Sequence, residues 1–367
     1  MSSVASAAGL IHLGMDTSKN TIVVATLLPG EQDPVTDRIA NEEAAVRRLV
    51  GRFADRSALR CWYEAGPGGY ELYRLLASMG VACQVVAPSL IPKGSSDKVK
   101  TDRRDSRRLA RLGRAGELTP VRVPGPAEEA VRDLVRARDA MLADRKRAQQ
   151  RLTAVLMRHG RIWRGATYWT RAHREWIAAQ RFGEPALATA ISYYRATLAV
   201  REAELAAVEA ELAPWAAREP LAGPVARLGC YRGIAELTAL TLAAEVVDWH
   251  RFPAARAFMS WTGLVPAEYS SGDRTRRGHI TKAGSEPVRV ALTEAAWSYR
   301  HAPAIGARLR RRQAGAGPAT LARSWTAQRR LHARYTHLLH AGKAAPEAAT
   351  AVARELAGFA WAEMTAA

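Results

Sequence analysis

The chain has 367 residues, 48% of them hydrophobic, and carries 54 Lys and Arg against 35 Asp and Glu for a formal net charge of +19. That length suits two or three domains of about 100–200 residues each, and the basic excess favours a polyanionic partner over a neutral one. Cys61, Cys83 and Cys230 form no CxxC pair, residues 1–9 lack the pattern of a signal peptide, and no window reaches the ~18 apolar residues of a membrane span; the expectation is a cytoplasmic, nucleoid-associated protein with no membrane partner.

In chain order, residues 10–15 are a short apolar run ending at Asp16, and residues 21–28 are β-branched and close on the turn pair Pro29-Gly30. A third short strand covers 37–40. Asn41 is then placed to cap a helix through Phe53, with Glu42 and Glu43 in its first turn. Residues 59–63 read as a strand ending at Glu64 and broken by Gly66-Pro67-Gly68-Gly69. A helix over 70–79, a strand over 81–86 stopped by Pro88, and a helix containing 102–112 follow. Three early strands followed by alternating helices and strands is the element order of an RNase H-like domain.

The Pro- and Gly-rich stretch 120–126 marks a boundary. Beyond it a long helix runs over 128–159, with apolar positions at Leu134, Met141, Ala148, Leu152 and Val155 and eight basic residues from Arg132 to Arg158 against three aspartates. A second helix, 185–212, has Leu187, Ile191, Tyr194, Leu198, Leu205, Val208 and Leu212 at heptad spacing, with Arg201 in the series. The pair reads equally as an antiparallel hairpin within one chain or as a dimerising coiled coil. Trp163, Tyr168, Trp169 and Trp176 between the helices read as packing residues, with base stacking as the less favoured role. From Gly223 on the chain is mostly helical: 235–247, a Gly- and Ser-rich basic loop at 263–281, 286–301, and two helices over 318–362. The expected class is α/β plus all-α, with domains at 1–122, 123–218 and 219–367.

Phosphodiester chemistry has to stabilise charge on an attacking and a leaving oxygen, and carboxylate-held Mg²⁺ or Mn²⁺ can do both. Asp16 closes the first strand and Glu64 the fourth. Asp102 and Asp105, in Lys100-Thr101-Asp102-Arg103-Arg104-Asp105, are three apart and share one helix face. Taken singly, each is an ordinary turn former, cap or solvated carboxylate. In this order, beside nine basic residues between Lys93 and Arg114, they form a candidate catalytic metal set, with Lys100, Arg103, Arg104, Arg107 and Arg108 along a phosphate backbone.

The segments Gly14-Met15-Asp16, Tyr63-Glu64-Ala65-Gly66 and Lys100-Thr101-Asp102-Arg103-Arg104-Asp105 resemble the DEDD-type insertion-sequence transposases, the bridge-RNA-guided recombinases with a RuvC-like N-terminal domain. A second match lies in Trp261-Thr262-Gly263-Leu264-Val265-Pro266, Tyr269-Ser270-Ser271-Gly272, Lys282-Ala283-Gly284 and Arg289. The resemblance implies that Ser271, directly before the glycine, is a nucleophile forming a covalent phosphoserine; without it, Ser270 and Ser271 are equivalent and the run is a plain turn. Arg274, Arg276, Arg277, Lys282 and Arg289 are expected to bind the phosphate, and His279 is a weaker candidate base.

The resemblance further implies DNA partners at element ends and target, a noncoding guide RNA, and a homo-oligomer, dimer or tetramer, that completes the active centre. Gly229-Cys230-Tyr231-Arg232-Gly233-Ile234 aligns with a helix-hairpin-helix segment but departs from its usual Pro-Gly-Ile-Gly form, which leaves phosphate binding and helix packing as equal readings. The rival activity is a RuvC-like structure-specific endonuclease, which needs the four acids and not the serine.

Overall fold

A computed structural model describes residues 9–92, 101–269 and 276–366, together with the backbone but not the side chain of Arg277. The chain divides into two compact units, Met1–Pro124 and Gly125–Ala367.

The first unit is built on a five-stranded sheet of order β3-β2-β1-β4-β5. Its strands are β1 (Ile11–Thr17), β2 (Thr21–Leu27), β3 (Val35–Ala40), β4 (Leu59–Glu64) and β5 (Ala82–Val86). β1 pairs antiparallel with β2 and parallel with β4, so the meander of the first three strands turns into parallel α/β winding at β1. This is the mixed sheet of an RNase H-like domain.

Strand alternation divides β1 between two faces. Ile11, Leu13 and Met15 enter a core with Val46, Leu49 and Val50 of α1 (Glu43–Val50) and Leu76 of α2 (Glu71–Ser78). The other face receives α3 (Asp102–Ala115), which turns Ser106, Leu109 and Ala110 inward and most of its arginines outward. Gly14 permits that contact: a Cβ there would lie 2.1 Å from the Ser106 carbonyl oxygen and 2.5 Å from the Ala110 nitrogen. The helix starts at Thr101, whose Oγ1 accepts from the Arg104 N–H at 3.3 Å, and stops at Gly116 in the left-handed region, φ 74°.

One expectation is corrected. Asn41 does not cap α1; Glu42 occupies the cap without a side-chain bond, and Asn41 Nδ2 donates instead to the Ser18 carbonyl at 2.8 Å. The amide side chain found a partner in the β1–β2 turn, across 23 residues of sequence.

In the second unit, α4 (Pro126–Arg158) and α6 (Pro185–Ala216) lie antiparallel. Val131 and Val135 at the start of α4 share a core with Leu212 and Ala216 at the end of α6, while Leu152, Val155 and Leu156 meet Ile191 and Leu198. Their middles are tied by Arg138, whose guanidinium donates to Glu209 at 2.7 and 2.9 Å. The single chain therefore forms a helical hairpin, with α5 (Arg171–Ala179) at its tip. Tyr194, a heptad position, is 37% exposed rather than part of that seam.

The other helices are α7 (Ala222–Gly229), α8 (Glu236–Val246), α9 (Ala255–Trp261), α10 (Glu286–Ala296), α11 (Ala307–Arg312), α12 (Pro318–His340) and α13 (Ala345–Thr365). Most of them pack, with the roots of α4 and α6, into one core. At its side Glu363 is fully buried. It accepts from Arg323 Nε (2.6 Å), Thr320 Oγ1 (2.7 Å), Tyr231 OH (3.0 Å) and Arg227 Nε (3.0 Å). The basic segment expected to be a loop over 263–281 contains a short hairpin, β6 (Pro266–Glu268) with β7 (Arg277–Ile280). No helix among the described residues is long and apolar enough to cross a membrane.

Candidate active site

The carboxylates of the first unit lie on one side of its sheet. Gly14 faces α3, so Asp16, two residues on, faces the same way. Trp62 and Val86 cluster with Leu109 of α3, which puts Glu64, two residues after Trp62 and opposite Val86, on that side as well. Asp16 and Glu64 are one step beyond the Met15–Tyr63 pair of adjacent parallel strands, at their carboxyl ends. Asp102 and Asp105 occupy the first turn of the helix that covers this face.

The helix N-terminus favours negative charge there, and the helix's six arginines compensate it further. Asp102 is 59% exposed and lies 3.9 Å from Arg38 of β3, a neighbour not visible in the sequence pattern because 64 positions separate the two. Asp105 differs: its Oδ2 is buried and has no hydrogen-bond partner among the described residues.

An orphaned buried carboxylate oxygen is costly unless something absent from the polypeptide satisfies it. A hard divalent cation is such a group, and an all-oxygen carboxylate set suits Mg²⁺ or Mn²⁺. Among the described residues no three Asp, Glu, His or Cys side chains converge enough to hold an ion by themselves. Mg²⁺ does not demand that, since it keeps waters and is commonly held by one or two carboxylates plus substrate phosphates. The donor chemistry at Asp105 therefore fits the ion.

Glu64 also borders a cavity of about 500 Å³ lined by Thr17, Glu42, Glu43, Tyr63, Gly68 and Glu71 among others. Its wall is shaped by the Gly66–Gly69 turn, where Tyr63 OH donates to the Gly69 carbonyl at 3.1 Å. Four glutamates line it together with Arg74, which is paired with Glu71.

Of the basic residues singled out on α3, Arg103 and Arg104 are exposed and Arg107 and Arg108 half-buried, while Lys100 lies outside the described residues. In the second unit Ser270, Ser271 and Arg274 also lie outside them. The Tyr269 N–H donates to the Arg276 carbonyl at 2.8 Å, joining the two strands that flank residues 270–275 in sequence.

Arg276, Lys282 and His279 are exposed. Arg289 is engaged elsewhere: its guanidinium donates to the carbonyls of Thr262 (3.1 Å) and Ala283 (3.3 Å), pinning the two ends of the hairpin. Ser285, the N-cap of α10, donates to Glu245 Oε2 at 3.2 Å, and Glu245, almost fully buried, receives Arg136 Nε at 2.7 Å. This Ser285–Glu245–Arg136 chain, whose members lie 40 and 109 positions apart, ties the hairpin base to α8 and α4 and leaves no local pattern.

The 229–234 segment resolves toward packing. Gly233 has φ 84°, and a Cβ on it would meet the Ala295 carbonyl oxygen at 2.2 Å; Cys230, Tyr231 and Ile234 are buried. The Arg232 guanidinium is spent on the carbonyls of His301 and Ala302.

A family described as "Transposase IS116/IS110/IS902 family" matches residues 226–310, and the DEDD transposase family of IS110 elements matches residues 13–160. The putative transposase y4qE of Sinorhizobium fredii is 41% identical over 353 residues, covering 95% of this chain and 87% of its own. The chain belongs to the IS110 family of insertion-sequence transposases. The transposase for insertion sequence element IS1533 of Leptospira borgpetersenii is 32% identical over 335 residues, 89% of this transposase and 96% of its own length. The transposase for insertion sequence element IS1111A of Coxiella burnetii is 26% identical over 235 residues, 64% of each chain. The transposase is thus an enzyme of DNA transposition, with Asp16, Glu64, Asp102 and Asp105 in one matched region and Ser271 in the other.

Proposed function

We propose that this transposase exchanges DNA strands through a covalent phosphoserine at Ser271, assisted by a divalent cation held by Asp16, Glu64, Asp102 and Asp105. The observation that carries the metal half is Asp105 Oδ2, shielded and unpaired on the helix that covers the Asp16 and Glu64 strand ends. The serine half is supported by the family resemblance that singles out Ser271, and by the paired strands that flank it in sequence, whose base is fixed by Arg289 and by the Ser285–Glu245–Arg136 chain.

In the first step the Ser271 Oγ–phosphorus bond forms as the phosphorus–sugar oxygen bond breaks, and the serine proton ends on the departing sugar oxygen. The second step reverses this with the hydroxyl of the incoming strand, so the bond energy is conserved and no nucleotide cofactor is consumed. A serine hydroxyl is a weak nucleophile at neutral pH. A bound divalent cation supplies positive charge against the phosphate oxygens and acidifies a hydroxyl that it contacts. Arg274, Arg276, Arg277 and Lys282 hold the phosphate, with Arg289 acting through the hairpin base. Lys100, Arg103, Arg104, Arg107 and Arg108 track the backbone beside the carboxylates.

The net charge of +19 suits a polyanionic partner, and the family resemblance adds a guide RNA and a homo-oligomer to this reading. The test is adduct trapping on element-end DNA with co-purified RNA present. The wild type yields a denaturant-stable protein–DNA adduct that Ser271→Ala abolishes and that EDTA suppresses until Mg²⁺ is restored. Cleavage that survives Ser271→Ala would instead assign a hydrolytic endonuclease.

A further inference from the structure

The tip of the α4–α6 hairpin carries a cleft that neither the carboxylates nor the serine hairpin uses. It has a volume of about 440 Å³ and is lined by Lys146, Gln149, Gln150, Thr153 and Met157 of α4 and by Tyr168 and Trp169 of the α4–α5 connection. The α4 positions recur at helical spacing, and they are not the packed seam. That seam uses Ala148, Leu152, Val155 and Leu156 and is buried. The helix thus has a second, outward stripe combining a cation, two carboxamides and a thioether, with two aromatic rings set against it. Met157 is 59% exposed and Tyr168 46%.

The aromatic wall is built at a cost. Trp169 has φ 64°, a left-handed conformation that bulky residues rarely adopt. Its N–H donates to His173 Nδ1 at 2.8 Å, which puts the imidazole proton on Nε2. The buried His173 ring is in turn surrounded by Tyr168 at 4.9 Å, Trp169 at 5.0 Å, Trp163 at 5.3 Å and Trp176 at 5.8 Å between centroids. Thr170 caps α5 by accepting from the His173 N–H at 3.3 Å. Arg174, gripped by both oxygens of Glu202, stands 6.0 Å from the centroid of the Trp169 ring. A strained tryptophan locked by this many contacts is characteristic of a pre-organised recognition element.

The charge around the cleft selects the occupant. Residues 144–181 hold ten Lys and Arg against two acids; Arg147, Arg171 and Arg174 are paired with Asp144, Glu175 and Glu202, which still leaves a basic excess. Such a field attracts phosphates. The cleft is shallow and open, so a planar group would lie against its aromatic wall rather than be enclosed. Aromatic faces stack any unpaired base, glutamine carboxamides bond its exposed edge, and a lysine meets its phosphate.

We infer that the cleft between Tyr168, Trp169 and the Lys146–Met157 stripe is a binding site for an unpaired base of single-stranded DNA, separate from the strand-exchange site. It holds a strand that transposition has opened. The inference does not depend on Ser271 or on the carboxylates and can be tested in a Ser271→Ala background, so either reading can fail alone.

The test uses the full chain and fluorescence anisotropy at fixed salt with three fluorescein-labelled probes: an oligothymidylate of about 20 nucleotides, the matched oligouridylate, and a duplex of equal length. Tyr168→Ala is expected to weaken the oligothymidylate about tenfold, in line with loss of one base stack, and to leave the duplex within about twofold. Tyr168→Phe should retain binding. Gln150→Glu, on an exposed position outside the core, should weaken it without touching the aromatic cage. With 5-iododeoxyuridine in the oligonucleotide, photocrosslinks should map within residues 163–176. Equal losses on duplex and single strand, unchanged affinity in both Tyr168→Ala and Gln150→Glu, or crosslinks confined to other regions would overturn the site. Tighter Tyr168-dependent binding of the oligouridylate would assign it to RNA. A Tyr168→Ala variant that instead dissociates a dimer would assign the cleft to a second copy, and both results defeat the proposal.

Discussion

Glu363 of the second unit and Asp105 of the first each have oxygen atoms shut away from water, and the two surroundings are opposite. Glu363 is closed in by two arginines, a threonine and a tyrosine, and every one of these groups donates to it. Asp105 Oδ2 has no donor among the described residues, although its helix carries six arginines. A carboxylate whose lone pairs are filled by its own chain contributes to the fold. One left unfilled in the first turn of α3 is open to a cation or a substrate. Hydrogen-bond supply alone thus separates two carboxylates of the same chemistry, one satisfied by its own chain and one not.

Breaking the satisfied centre should have the largest effect on stability. Glu363→Gln removes the charge that Arg227 and Arg323 face. Because both guanidiniums are about a third exposed, the cost is set at the lower end for a buried pair, about 3 kcal/mol. Urea unfolding followed by tryptophan fluorescence measures it. A loss below about 1 kcal/mol would place Glu363 among ordinary surface pairs.

The same centre gives a pH signature. Burial alone would raise the Glu363 pKa, but the donors Arg323, Thr320, Arg227 and Tyr231 outweigh it and hold the group at about 2, against 4.5 for a free glutamate. The folded value lies below the unfolded one. The stabilisation is therefore complete above pH 4.5 and is lost as pH falls toward 2. Between those limits the stability of the wild type should fall more steeply than that of Glu363→Gln. Parallel curves would show that the network is not ionised as described.

Asp105→Asn tests the other half of the comparison. It keeps the shape and removes the charge, so strand exchange should fall by at least about a hundredfold, the upper cost of losing an outer-shell partner of a metal ligand. The melting temperature should hold, since Oδ2 makes no hydrogen bond for the substitution to remove. A fall in stability with activity retained would make Asp105 structural, like Glu363.

The contrast also explains what could be read in the sequence. The strands and the helix that carry Asp16, Glu64, Asp102 and Asp105 are legible because β-branched runs, the Gly66–Gly69 turn and the Pro88 stop are local signals. The Arg38–Asp102 approach and the Glu363 network are not, because their partners lie 64 and up to 136 positions apart. The hairpin β6–β7 is hidden for a different reason: strands of three and four residues, separated by a serine- and arginine-rich run, carry too few alternating positions to stand out from a loop. Asn41 misled because a good capping residue was claimed by Ser18, a competitor that only the folded sheet brings near.

Gly14→Ala should be milder than either carboxylate change, and it joins the two themes. The added methyl would press on the backbone of α3 at Ser106 and Ala110, costing about 1–3 kcal/mol as an overpacked contact. Because α3 carries Asp102 and Asp105 over the Asp16 and Glu64 strand ends, displacement of the helix should also lower strand exchange. Activity should fall further than the loss of folded protein accounts for. A strictly proportional loss would mean that the position of α3 over the sheet does not matter to the chemistry.

The smallest effect is expected at Ser285. Ser285→Ala removes the cap of α10 and one bond to Glu245, about 1 kcal/mol of stability. If the Ser285–Glu245–Arg136 chain merely steadies a helix end, kcat and KM for element-end DNA should be unchanged once folded protein is normalised. If it orients the hairpin that carries Ser271, kcat should fall severalfold with KM constant, because a misplaced nucleophile affects the chemical step rather than ground-state binding. Ser285→Thr, which keeps a hydroxyl able to cap and to reach Glu245, should restore kcat. Restoration by threonine together with a loss by alanine separates orientation of the hairpin from simple helix capping, since capping alone predicts a stability change without a kcat change.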